Sequence, residues 1–411
     1  MTQTHTRPGA DIAPARSRFN FVVAAYGLLV LLVGANMATP LYPLYEKQFG
    51  FGPMTVTLVF AVYAVVLIPS LLVFGPLSDA IGRRAVLLPA ICGGLLGSIV
   101  MLFAAGTGWL FVARVIQGIS LGAIQGTASA TLVETEPRGN RGWATTVASA
   151  TTAGATALGP LLGGAIGEYL PAPLHTSFVV HIGLAVVALL LVLRLPRAAE
   201  RGGSWRPRKP KMPPQARAPF LTAGAAGFLA WAVTALFLAL VPSFLESLRG
   251  GAISVGLAGL CVGLMLGVSA VAQFASRSAS NLASQLGGLG VLVVGLGTLA
   301  LASVASRLDL LLVAAVVIGI GQGLAFRGSL AIVNHISPDA DRANVVSLYY
   351  VIVYIGVAFP VIGVGFLSQA VGLVPAVLSF AVAIAVLAAA GGLATLAVRG
   401  HRALAEPLAK S

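Results

Sequence analysis

The chain holds 411 residues, of which 58% are hydrophobic and only 9% charged, whereas water-soluble domains carry about a quarter charged residues. That surplus of apolar side chains excludes a soluble multi-domain protein and must face lipid. The net charge of +13 suits either nucleic acid or a membrane surface, and the position of the basic residues decides between them. A hydrophilic tail, 1–18, comes first. Apolar runs of about 20 residues, long enough to cross a hydrocarbon core of roughly 30 Å, then follow one another along the chain. They predict spans at 19–43, 54–77, 86–105, 108–133, 142–167 and 175–195, and, after a polar interval, at 219–245, 252–275, 284–304, 309–333, 343–368 and 373–398. The first run is too long for a cleaved signal segment, so span 1 is expected to stay.

With twelve spans both termini share a side. Twenty of the 25 Lys and Arg residues then fall on that side, and only Lys47, Arg249 and Arg307 fall opposite, while Arg114 and Arg327 lie within spans. Basic loops resist translocation, so both ends are expected in the cytoplasm. The charge meets anionic lipid headgroups, not nucleic acid. The polar interval carries Arg197, Arg201, Arg206, Arg208, Lys209 and Lys211 among several prolines. It divides the chain into a tail (1–18), a first six-helix bundle (19–195), a cytoplasmic linker (196–218), a second six-helix bundle (219–398) and a tail (399–411). Cys92 and Cys261 both lie in predicted spans and suggest neither a disulfide framework nor a metal site; no cofactor is expected.

The two halves repeat. At an offset of 201, Gly118 falls on Gly319, Gly122 on Gly323, Pro137 on Pro338 and Arg141 on Arg342; one residue less aligns Pro160 with Pro360 and Gly163 with Gly363. Parallel six-span repeats are a recognised transporter architecture, with the substrate site between the halves near mid-membrane.

Between spans 2 and 3 stands Gly75-Pro76-Leu77-Ser78-Asp79-Ala80-Ile81-Gly82-Arg83-Arg84. It resembles the loop signature of the major facilitator superfamily. Span 4 has Arg114 with Gln117-Gly118 at the spacing of a second family motif, and Gly159-Pro160-Leu161-Leu162-Gly163-Gly164 in span 5 resembles the core of the motif seen in antiporters, with Ala155 where that motif leads with Gly. Ala38-Thr39-Pro40-Leu41-Tyr42-Pro43 closes span 1 in a family-like way. The resemblance covers 19–398 and is strongest to the twelve-span drug:proton antiporters. It implies an all-α membrane fold of twelve helices in two pseudo-symmetric bundles, sitting in a bacterial inner membrane. In the second half the counterpart of the charged loop is reduced to Ser276-Arg277-Ser278-Ala279-Ser280-Asn281.

In this reading Gly75, Asp79, Gly82, Arg83, Arg84 and Arg141 form a conformational lock, with Asp79 capping the N-terminus of span 11 when the outer side is open. Proton-coupled relatives commonly carry a carboxylate within the membrane, but all twelve acidic residues here lie at span ends or in polar segments. Arg114, Glu134 and His181 are therefore the candidates for proton coupling. His181 has two readings, a proton carrier or a hydrogen-bonded packing residue. An intramembrane Arg is costly and marks function by default; on a helix Arg114, Gln117, Leu121 and Gln125 share a face. Candidate cavity residues are Asn36, Tyr63, Arg114, Gln117, Gln125 and Phe228, together with Trp231, Gln322, Phe326, Arg327, Tyr350 and Tyr354.

The function expected is secondary transport by alternating access, foremost proton-coupled efflux of a small amphipathic drug or metabolite. The alternative is uptake or uniport of a small anion, to which Arg114 and Arg327 would be suited. Further off stands a membrane enzyme or scaffold built on His335, Asp339 and Asp341. No nucleotide cradle suggests an ATP-driven pump. The expected partners are a small-molecule substrate, protons and membrane lipids, and the expected state is a monomer.

Overall fold

A computed structural model describes residues 14–196, 214–248, 250, 254–338 and 342–405. Most of the basic linker and of the N-terminal tail, the last six residues, Arg249, Asp339 and Asp341 lie outside them. Among the described residues there is no strand, and the helices in chain order are α1 (Pro14–Met37), α2 (Tyr42–Phe49), α3 (Pro53–Ile81), α4 (Arg83–Leu102), α5 (Thr107–Thr135), α6 (Arg141–Tyr169), α7 (Pro173–Leu193), α8 (Pro214–Ala239), α9 (Val241–Leu248), α10 (Val255–Ala275), α11 (Asn281–Ala305), α12 (Leu308–Ile336), α13 (Arg342–Val371) and α14 (Leu373–Ala405).

The short helices α2 and α9 follow breaks at corresponding points of the two halves. The Pro40 break gives a 3-10 turn over Thr39–Leu41, after which α2 starts with Pro43 in its first turn. Elsewhere, starts and stops follow local chemistry. Pro53 and Pro173 open their helices, where a missing N–H costs nothing. Side chains of Asn140, Ser254 and Ser280 accept hydrogen bonds from the exposed first-turn amides of α6, α10 and α11. Gly82 turns the chain between α3 and α4 at φ 97°, a conformation that disfavours any side chain.

Among the described residues eleven helices are long and apolar enough to cross a membrane. The remaining long one, α6, spans 29 residues but is rich in Thr, Ser and Gly. It packs against α1 in its own half and α10 in the other, away from where a wholly apolar surface is required. Large apolar side chains such as Phe103, Val271, Val304, Phe359 and Leu393 are exposed around the outside, as a lipid-facing belt requires.

The halves repeat in three dimensions. Glycines in α5 meet α3 as glycines in α12 meet α10: Gly118 lies against the Tyr63 carbonyl and Gly122 against Ser70, while Gly319 lies against the Met265 carbonyl and Gly323 against that of Ser269. Such close backbone approach is how helices associate in lipid, where no hydrophobic force drives them together. The alignment of Gly163 with Gly363 does not extend to contacts. Gly163 abuts the Met37 carbonyl, Gly363 meets open space, and Gly365 makes the close approach instead, to Thr57. Across the halves the main contacts pair α6 with α10 and α3 with α13. The end of the bundle that carries Gly75–Arg84 is called the motif end below, and the opposite end the far end.

Candidate functional site

Between the halves lies a cavity of about 290 Å³, walled by α5, α6, α8, α10, α12 and α13. Its N-terminal wall includes Gln125 and Ser129 on α5 and a ladder of Thr145, Ser149, Thr152 and Thr156 on α6. Spacings of three and four residues place that ladder on one helix face. Thr156 and Thr152 are half-buried while Ser149 and Thr145 are exposed, so the cavity opens toward the motif end. The opposing wall is aromatic: Trp231, Phe326, Tyr350 and Tyr354, with Thr234, Ser269, Gln273 and Gln322 among them. Trp231 meets Phe326 edge-on at 5.5 Å and Tyr354 at 6.3 Å. A smaller extension reaches Asn36, Phe60 and Tyr63.

Of the residues expected at the cavity, Gln125, Trp231, Gln322, Phe326, Tyr350 and Tyr354 line it, and Asn36 and Tyr63 line its extension. Arg114, Gln117, Phe228 and Arg327 do not. Arg114 is 1% exposed. Its guanidinium donates to the Ala35 carbonyl at 2.7 Å, to Gln117 Oε1 at 3.0 Å and to the Tyr42 hydroxyl at 2.5 Å, and lies near the rings of Tyr42 and Tyr63. It knots α1, α2 and α5 together from inside through Nη1 and Nη2, while its buried Nε has no partner among the described residues. Arg327 points out of the cavity to Ser284 Oγ at 2.7 Å and to the carbonyls of Arg277 and Ala279. The backbone of Phe228 forms the close-packed partner of Gly356. The shared face of Arg114 and Gln125 does hold, but a helix of 29 residues passes from core to cavity along that one face.

His181 is 2% exposed. Its Nε2 stands 2.9 Å from the Val30 carbonyl and its Nδ1 2.7 Å from Ser98 Oγ, against Gly34. The neutral ring satisfies both partners, donating from Nε2 and accepting at Nδ1, which is the packing arrangement.

At the motif end, Arg83 bridges two acids: Asp79 at 2.5 Å and Glu134 at 2.7 Å, with Ser78 Oγ also at 2.5 Å. Asp79 is 65% exposed. Arg84 donates to the Leu195 carbonyl at 2.6 Å, tying α4 to the end of α7. Gly75 and Gly82 meet no tight side-chain contact at the former and a positive φ at the latter. Arg141 begins α6 and is exposed. Sequence inspection passed over Glu136, whose carboxylate accepts from the amides of Arg138 and Asn140 at 2.8 and 2.6 Å and shapes the turn into α6.

The far end is shut. A Cβ on Gly259 would stand 2.4 Å from the Pro160 carbonyl oxygen, and one on Gly164 would stand 2.8 Å from Gly259 Cα, so α6 and α10 touch backbone to backbone. Gly159 and Gly163 pack against α1 within their own half. Two acids reach across this closure. Glu168 at the end of α6 accepts from the Gly256 amide at 2.9 Å, in the first turn of α10, and Glu46 on α2 accepts from Ser243 Oγ on α9 at 2.5 Å. Beside them burial raises the Glu246 carboxyl above its ordinary range, opposed by Lys47. Among the described residues no group of His, Cys, Asp and Glu could hold a metal.

The sequence model of the Major Facilitator Superfamily matches residues 24–287. The chain belongs to the Major Facilitator Superfamily. Membership of that family points to a transporter rather than an enzyme. Over 164 residues it is 32% identical to an uncharacterized MFS-type transporter of Mycobacterium tuberculosis, a match covering 39% of this chain and 23% of that protein. Over 187 residues it is 34% identical to the puromycin resistance protein of Streptomyces alboniger, covering 45% and 36% respectively. The chain therefore matches well under half the length of these relatives. A bacterial homologue of the human lysosomal transporter Spinster, solved inward-facing and unoccupied, superposes with a TM-score of 0.73 over 92% of this chain and 97% of that one; at 16% identity it shows the shared fold.

Proposed function

We propose that the chain exports a small amphipathic compound across a bacterial inner membrane by alternating access, in exchange for protons, with the motif end and both termini in the cytoplasm. The observation that carries this reading is a cavity between the halves, entered from the motif end and sealed at the far end by the α6–α10 backbone contact. The charge asymmetry of the loops supports placing the motif end inside. The antiporter-type Gly159–Gly164 segment supports exchange, and a relative named for puromycin resistance supports efflux. An anionic cargo finds no support in the cavity, whose described lining side chains include no Lys or Arg. The test is dye accumulation in everted vesicles from an efflux-deficient host. Accumulation that requires an inside-acid gradient and collapses with it fits the proposal. Accumulation indifferent to that gradient removes proton exchange, and none for any dye removes efflux.

A further inference from the structure

The two cavity walls differ in hydrogen-bonding sense. On the N-terminal wall, Ser129, Thr145, Thr152 and Thr156 each donate to a carbonyl four residues back at 2.7–2.9 Å. Their protons are spent, so these four hydroxyls meet the cavity as acceptors, while Gln125 on the same wall adds an amide with both senses. On the opposing wall, Ser269 donates to Gln322 Oε1 and Gln273 donates to Ser269, so the Gln322 amide group keeps its N–H donors. The Trp231 indole N–H is buried and finds no acceptor among the described residues.

Charge is the second constraint. None of the described side chains lining the cavity is acidic or basic, and an ion without a counter-charge in a partly dehydrated site is strongly disfavoured. The aromatic wall does not form a cation cage. Trp231 meets Phe326 edge to face, Phe326 stacks on Tyr349, and Tyr349 meets Tyr350 edge to face. The rings cover one another, whereas a cation-π site needs ring faces turned on one point. Such a wall suits a flat ring laid along it.

We infer that the cargo is an uncharged compound with a flat ring, which gives hydrogen bonds to α6 and accepts them from Gln322. This rests on the transport reading but concerns binding, which is measured separately. Purified protein in detergent is titrated calorimetrically with three compounds on one bicyclic aromatic scaffold: a primary carboxamide, the corresponding carboxylate and the corresponding methylamine. The carboxamide is expected to bind at least ~10-fold tighter than either ion, a difference of about 1.4 kcal/mol. Gln322→Met keeps the length and removes the N–H donors; Thr152→Val keeps the shape and removes the acceptor. Each is expected to weaken the carboxamide several-fold and to leave the already weak ions unchanged, with unaltered thermal unfolding showing the fold intact. Equal or tighter binding of either ion, no binding by the carboxamide, or a carboxamide affinity indifferent to both substitutions overturns the inference. Vesicle transport of the same set separates the two readings. An ion bound and moved refutes the cargo class alone, and a carboxamide bound but never moved refutes transport alone.

Discussion

The two ends of this transporter hold their charges in opposite ways. At the motif end the charged groups pair within one half: Asp79, Arg83 and Glu134 all belong to α3, α4 and α5. At the far end the carboxylates of Glu46 and Glu168 reach from the first half to the second. A contact made in only one state is what biases a two-state equilibrium. In this conformation the cross-half contacts of Glu46 and Glu168 hold the far end shut. The corresponding loop of the second half has no acid, and there Arg327 donates to the carbonyls of Arg277 and Ala279 instead. Asp79, largely exposed beside Arg83, is the acid of this loop that is placed to lock the motif end in the other state.

The largest way to break this contrast is at the α6–α10 contact. Gly259→Val places side-chain atoms where the Pro160 carbonyl stands 2.4 Å from any Cβ. Overpacking of this kind costs about 1–3 kcal/mol, which is a shift of roughly 5- to 150-fold toward far-end-open forms. Transport should collapse, and a cysteine at Val255, buried in the α6–α10 closure, should become reactive to an impermeant reagent applied from the far side. The same substitution at Gly363, which meets open space, should leave both unchanged.

A smaller effect is expected at the acids. Glu46→Gln weakens a half-buried hydrogen bond to Ser243 and should shift the balance toward far-end-open forms by about 1 kcal/mol. Glu168→Gln should shift it in the same sense but less, because the carboxylate is exposed and screened. Asp79→Asn should act in the opposite sense. If Asp79 caps α13 in the far-end-open state, removing its charge disfavours that state, and a cysteine at Ala80 becomes more accessible from the motif end. Equal accessibility with and without the charge would leave Asp79 as an ordinary loop residue. The smallest effect is predicted at His181. Its ring bonds are internal to the first half, so His181→Gln should leave the pH dependence of transport unchanged. A moved pH midpoint would restore His181 as a proton carrier.

Much of the fold was legible in the sequence because lipid imposes a length and a polarity on every span. The repeat was legible where glycine packing demanded it: Gly118 and Gly319 occupy the same kind of contact. The cavity was half legible. Aromatic residues on spans 7, 10 and 11 were expected at the site and are there, but the Thr and Ser ladder of α6 was passed over. Its spacing and the low apolarity of that span were the available signal, since a helix that is polar along one face in a membrane must face water or protein. The intramembrane arginines misled for a physical reason. A buried cation needs acceptors, and carbonyls, hydroxyls and ring faces from neighbouring helices can supply them as well as a substrate can. Those neighbours are far apart in sequence, as Ala35, Tyr42 and Arg114 are.

The central claim is that the two halves rock about the cavity, so that one end closes as the other opens. It is tested most directly by distances between spin labels across both ends, on a background with Cys92 and Cys261 replaced by alanine. One pair, at Gln48 and Ser247, spans the far end; the other, at Gly142 and Ala279, spans the motif end. On adding a transported compound and a proton gradient, the far-end distances should lengthen while the motif-end distances shorten in the same samples. Distances that stay fixed at both ends, or that lengthen or shorten together, would contradict the account.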